Sequence, residues 1–214
     1  MRVFSTLAVA GLLRPLLEEA VFEPTARLVA RIEAGETADL AFLTQEAVVA
    51  LTARGLLVAG RDVARSFIGL AVQAGAPRPD IATVDALRAT LLAAPSLAYS
   101  RAGASGIFFA GLIERLGIAA EVNAKATIIP QGFTAALAAR GEVALAVQQV
   151  SELMAVEGVE LVGRLPEGAN VGAVFSAAVF VGAQPGSEAA LNRLLAAMGP
   201  AALKAAGLEA IQDR

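Results

Sequence analysis

Along nearly the whole chain, short apolar runs of strand length alternate with segments whose apolar residues recur at helical spacing. Residues 2–5, 39–43, 66–73, 96–99, 127–130, 143–147, 160–163 and 173–181 read as strands, most of them apolar on both faces. Residues 7–20, 25–34, 45–54, 84–93, 106–116, 133–140, 150–154, 188–198 and 200–206 read as helices, and Gly35, Gly55 and Gly117 stand where helices should stop. Strand, helix, strand in regular succession implies a mostly parallel sheet with helices on both faces. Ligands of such folds sit beyond the carboxyl ends of the strands, next to helix N-termini.

Composition narrows the chemistry. The chain has 214 residues, 57% hydrophobic and 17% charged, which is enough for one large domain or two smaller units and too apolar for disorder. The mean hydropathy of +0.65 is high, but much of it is alanine. The longest uncharged apolar stretches, residues 3–13 and 171–184, fall short of the roughly 18–20 residues a spanning helix needs, so the chain is not expected to be membrane-embedded. A net charge of −3 with no basic stripe argues against nucleic acid. With no cysteine and no histidine, there is no thiol nucleophile, no imidazole base and no metal site of the usual kind, and no cofactor is expected. Catalysis, where present, falls to carboxylates, tyrosine, lysine, hydroxyls or backbone dipoles. Residues 2–13 resemble a short signal peptide, but Arg14, Pro15, Glu18 and Glu19 follow without a small-x-small cleavage pattern. The expectation is a first strand and helix with no export signal, hence a periplasmic location if a signal has been trimmed and a cytoplasmic one otherwise.

Several segments carry a more specific signal. Ile32-Glu-Ala-Gly-Glu-Thr-Ala-Asp-Leu40 is similar to a segment of periplasmic molybdate-binding proteins. Val143 to Glu152, running on through Gly158 to Glu167, resembles a strand, short helix and strand of the same family. Ala98-Tyr-Ser100, Ser105-Gly-Ile107 and Ile68 to Gln73 fit as well. The resemblance covers nearly the whole chain and is strongest to the molybdate-binding-like branch that includes aconitate isomerase. It implies a two-lobed type 2 periplasmic-binding-protein fold, each lobe a mostly parallel α/β sheet. One lobe would hold residues 1–70 and 180–214, the other 71–179, with two crossover strands as hinge. Strand 2 shortens to residues 20–22, the Ser100 to Ser105 loop is short, and Phe175 stands where molybdate binders place a tyrosine.

The candidate site residues follow from the strand ends and from this resemblance. Ser5 and Thr6 end the first strand, with helix capping as the plainer reading. Glu23-Pro24-Thr25 precedes a helix whose first turn carries Arg27, a cation opposed to the helix dipole that a bound carboxylate would offset. Ser100, Arg101, Ser105 and Gly106 form the second-lobe counterpart, with the helix amides at Ser105 and Gly106 available to an anion and Arg101 able to pair with a carboxylate. Gln148 and Gln149 end a buried strand, and alternation turns only one of them toward a ligand. Phe175 would be an apolar wall, and Thr44 and Gln131 would line the same cleft. Glu152 reads as helix-start electrostatics. If the chain is an enzyme, Glu23 and Tyr99 are the groups able to move a proton.

The expected function is therefore binding of a small anion, a carboxylate or oxyanion, in an inter-lobe cleft, as a solute-binding protein that delivers to an ABC-type permease. The alternative is an aconitate-isomerase-like allylic isomerase of small carboxylates on the same scaffold. The effector lobe of a transcription regulator is a third class, disfavoured because no helix-turn-helix precedes the first strand.

Overall fold

The structure, a computed structural model, describes residues 1–211. Its elements are β1 (Val3–Ser5), a 3₁₀ turn (Leu7–Val9), α1 (Ala10–Leu13), β2 (Ala20–Phe22), α2 (Thr25–Glu33), β3 (Leu40–Thr44), α3 (Gln45–Ala53), β4 (Arg61–Gln73), α4 (Val84–Ala93) and β5 (Leu97–Ser100). There follow α5 (Ala104–Arg115), α6 (Ala119–Asn123), β6 (Ala126–Ile129), α7 (Ala135–Ala139), β7 (Leu145–Gln149), α8 (Val150–Met154), β8 (Val159–Arg164), β9 (Gly172–Val179), α9 (Ser187–Ala197) and α10 (Pro200–Ala205). No helix among the described residues is long and apolar enough to cross a membrane.

The chain divides into two compact units. Met1–Ser66 and the chain from Ala173 onward form the first, and Phe67–Gly172 the second. The chain passes between them twice, inside β4 and at the start of β9.

In the first unit, β1 lies between β2 and β3, parallel to both, and β9 runs antiparallel to β3. Alternation along these strands feeds two cores. Val3, Leu40, Phe42, Phe175 and Ala177 pack with α9 and α10 through Leu191, Leu194 and Leu203, while Phe4, Ala41, Leu43 and Phe180 pack with α2 and α3 through Leu28, Ile32, Val48 and Leu51. A sheet buried on both faces explains why its strands read as continuous apolar runs.

In the second unit, β5 pairs in parallel with β6 and β7, and β4 lies antiparallel to both β7 and β8. The sheet is thus mixed, because the crossover strand enters against the direction of the others. One face is large-residue packing of Leu70, Leu97, Tyr99, Leu145 and Val147 on α4, α5 and α6. The other is a seam of small residues, Ala71, Ala98, Ala135, Ala138 and Ala146, closed by Leu153.

Three local expectations differ from the outcome. The helix over residues 7–20 is a 3₁₀ turn and one short helix, since Pro15 has no N–H to continue the ladder. β4 is 13 residues long and starts at Arg61, because Arg61, Asp62 and Arg65 interrupt the apolar signal. The five-residue α6 has no counterpart in the sequence reading, being too short for a helical period to show.

Candidate functional site

Each unit gathers a polar group at strand ends. In the first, the Glu23 amide donates to the Ser5 carbonyl at 3.1 Å and the Thr6 amide to the Phe42 carbonyl at 2.8 Å, which brings the ends of β1, β2 and β3 together. Ser5 and Thr6 are buried, and the Ser5 hydroxyl donates to the Thr6 carbonyl at 3.0 Å. Thr25 is the first residue of α2; its Oγ1 is enclosed and unpartnered. Arg27 lies exposed two residues on.

Glu23 does not stand alone there. Arg31, two turns along α2, donates from Nη1 to Glu23 Oε1 at 3.0 Å and grips Glu36 through Nε and Nη2, both at 2.9 Å. The Arg31 guanidinium also lies over the Phe4 ring, 5.1 Å from its centroid, and Arg2 lies 4.8 Å from that same centroid. The hydrogen bond to Glu36 is the main cause that raises Arg31 above its ordinary pKa, and the reciprocal bond holds Glu36 below the usual carboxylate range. A carboxylate at Glu23 would by itself repel an anion; the Arg31 guanidinium beside it offsets that charge locally. Glu23 Oε2 is enclosed and has no hydrogen-bond partner.

In the second unit, the Ser100 hydroxyl accepts from the Gly103 amide at 3.2 Å and the Arg101 amide donates to Ile129 at 2.8 Å, which ties the loop entering α5 to β6. Ser105 is buried in the first turn of α5, and Arg101 is exposed. Gln149 is 3% exposed, and its Oε1 has no partner.

Four expectations are corrected by this geometry. The Gly106 amide is not free for an anion: it donates to the Gly103 carbonyl at 3.0 Å, as the first turn tightens to 3₁₀ form. Gln148 is committed to its own unit: its Oε1 accepts from the Thr134 amide at 2.8 Å and the Thr134 hydroxyl at 3.0 Å, and its Nε2 donates to the Gly132 carbonyl at 2.9 Å. Of the glutamine pair, Gln149 is the one whose enclosed side-chain oxygen has no partner. Tyr99 points into the large-residue core against Phe109, and its hydroxyl donates to Asn123 Oδ1 at 2.7 Å. Burial, partly opposed by the Arg101 charge, raises its pKa, so it is poorly suited to moving protons. Phe175, expected as an apolar wall, is 2% exposed and packed within the first unit's core.

The sequence reading also underrated Glu152. It is buried in the first turn of α8, accepting from the Gln149 amide and the Gln148 side chain, and burial pushes its carboxyl up to about 8. Glu152 supplies only the glutamate half of a capping box, reaching back to the N-cap amide, and with Gln149 at the cap neither that bond nor the burial was legible in the sequence. A cavity of about 910 Å³ in the first unit, lined by Gln45, Asp62, Ser176, Met198 and Leu203 among others, contains none of the candidate residues. Its polar floor is already closed, since Asp62 accepts from Gln45 and from Ser176, each at 2.6 Å. No cluster of metal-ligating side chains occurs among the described residues.

Mixed sheets flanked by helices, with polar groups at strand ends beside helix starts, define the class of the periplasmic-binding-protein fold. The periplasmic molybdate-binding protein of Azotobacter vinelandii superposes over 99% of this chain and 100% of its own, with a TM-score of 0.77 at 16% identity. The substrate-binding domain of a molybdenum ABC transporter from Clostridium difficile covers 99% of each chain at a TM-score of 0.68 and 13% identity. Residues 19–209 match the family described as bacterial extracellular solute-binding protein, and the chain belongs to that family. An aconitate isomerase from a Pseudomonas species is 37% identical over 186 residues, 85% of this chain and 71% of that protein.

Proposed function

We propose that this chain binds a small carboxylate at its strand-end groups, Ser5, Thr6, Thr25 and Arg27 in the first unit and Ser100, Arg101, Ser105 and Gln149 in the second. Membership of a solute-binding family supports ligand binding. The observation that carries the choice of carboxylate over a metal oxyanion is the 37% identity to an aconitate isomerase, against 16% to a molybdate-binding protein. Phenylalanine at 175, where the resembling molybdate binders place a tyrosine, supports the same choice, because that position offers an oxyanion no hydroxyl. Hydroxyls and arginine would replace the carboxylate's hydration shell, and a permease partner and a location outside the cytoplasm belong to this reading.

A second reading, isomerisation, is favoured by the same relative. Moving a double bond in an unsaturated carboxylate needs a base to remove a proton from the methylene carbon. The electron pair forms the new C=C, the old one opens, and its far carbon takes up a proton, so nothing is oxidised or reduced. Glu23 is the group for that proton; Tyr99 has no part in it.

Thermal denaturation with molybdate, tungstate, sulfate, citrate, succinate and both aconitates tests the first reading, since ligands that bind the folded state raise the midpoint. A rise with carboxylates and none with the metal oxyanions is expected; the reverse pattern refutes it. Proton NMR of cis- and trans-aconitate with the protein then reports interconversion, which decides between carrier and isomerase.

A further inference from the structure

Two enclosed, unpartnered side-chain oxygens sit at the same strand ends in the first unit, Glu23 Oε2 and Thr25 Oγ1. A third, Gln149 Oε1, stands at the end of β7 in the second unit. Glu23 Oε2 is an acceptor and Gln149 Oε1 is another; only the threonine hydroxyl can also donate. Leaving such an oxygen buried without a donor costs about 1–3 kcal/mol, and native chains keep few of them. Here all three fall on residues that the strand-end argument had already singled out. Glu23 cannot swing away to solve its own shortage, because Arg31 holds its other oxygen while being held by Glu36 and Phe4.

A ligand made only of acceptors, such as a tetraoxoanion or a fully ionised unsubstituted carboxylate, brings nothing for Glu23 Oε2. We infer that the site selects a carboxylic acid carrying its own hydrogen-bond donor, a hydroxyl beside the carboxylate, which is received by Glu23 Oε2 with Thr25 Oγ1 beside it. The carboxylate goes to donors and the hydroxyl to Glu23 Oε2, so one small hydroxy acid meets both needs. The balanced Arg31–Glu23 pair lets an acceptor of this strength stand near an anion without net repulsion. This inference rests on the carboxylate-binding reading and narrows it.

Matched acids test it: calorimetric titration of malate against succinate, and of citrate against tricarballylate, each pair differing by one hydroxyl. The hydroxy acid is expected to bind about tenfold or more tightly than its partner, the size of one well-made hydrogen bond to a charged group. In Glu23→Gln the ratio should collapse toward one. Thr25→Val, which leaves the Arg31 ion pair untouched, should shrink it as well and serves if Glu23→Gln does not fold. Equal affinities within both pairs, or a ratio that survives both substitutions, overturns the inference while the carboxylate reading stands. If none of the four acids binds, the carboxylate reading falls and takes the inference with it.

Discussion

The carbonyl oxygen of Ser100 lies 1.7 Å from the point that a Cβ on Gly106 would occupy. α5 therefore seats directly on the end of β5, and the loop from Ser100 to Gly103 owes its shape to a missing methyl group. Gly106→Ala should fail to accumulate as folded protein or lose more than about 3 kcal/mol, because the obstacle is backbone and cannot rotate away. Chemical denaturation, or its impossibility, checks this. Gly111→Ala, later in α5 with only the Arg115 side chain nearby at 3.5 Å, should be neutral or slightly stabilising.

Glu152 makes stability depend on pH in an unusual direction. Burial raises its carboxyl to about 8 in the folded chain, well above the ordinary carboxylate range, so between those values the folded state holds a proton that the unfolded chain has released. Its contribution is fullest below the unfolded value and is lost as pH rises through about 8. Glu152→Gln should remove that dependence and unfold later than the parent at pH 9, by on the order of a few kcal/mol. Melting curves at pH 5, 7 and 9 for both proteins decide it.

Gln148→Leu should cost about 2–4 kcal/mol, since it strips partners from the buried Thr134 amide and hydroxyl. Ligand affinity should fall only as far as the 131–134 loop loosens. Urea denaturation measures the first effect and titration with carboxylates the second.

Tyr99→Phe removes one hydrogen bond, to Asn123, and keeps the ring packed on Phe109. About 1 kcal/mol of stability should go. Carboxylate binding, and any turnover seen by NMR, should stay within a factor of about two; a larger loss would restore the tyrosine to the site.

Arg31→Met should separate two roles. The side chain is 28% exposed, so its ion pairs contribute little to folding, and only a small drop in stability is expected. Binding of carboxylates should weaken much more, because Glu23 then presents an uncompensated charge to an anion. Raising salt should recover part of that loss by screening.

The alternation of strands and helices was legible because doubly buried strands such as β3 and β7 are unbroken apolar runs. The same property hid the half of β4 that begins with Arg61 and Asp62, where charge masks an extended backbone. The strand-end residues were legible as positions, since Ser5, Thr25 and Ser100 follow from where strands stop. Their partners were not: nothing near Glu23 in sequence announces that Arg31, eight residues away, will hold it, nor that Tyr99 will turn toward Asn123. Strand parity splits Gln148 from Gln149 but does not say which side carries the ligand. The closure of Thr134 and Gly132 around Gln148 shows only which of the two is committed within its own unit.

The alanine seam under α7 shows one use of the residue type that lifts the chain's mean hydropathy. Ala71, Ala98, Ala135, Ala138 and Ala146 are each fully buried, and they spend their methyl groups on bringing a helix close to a sheet. The room at these five places is correspondingly narrow: glycine and serine fit the space, whereas valine or leucine would lever the helix off its seat and carry the Gln131 to Thr134 loop away with it.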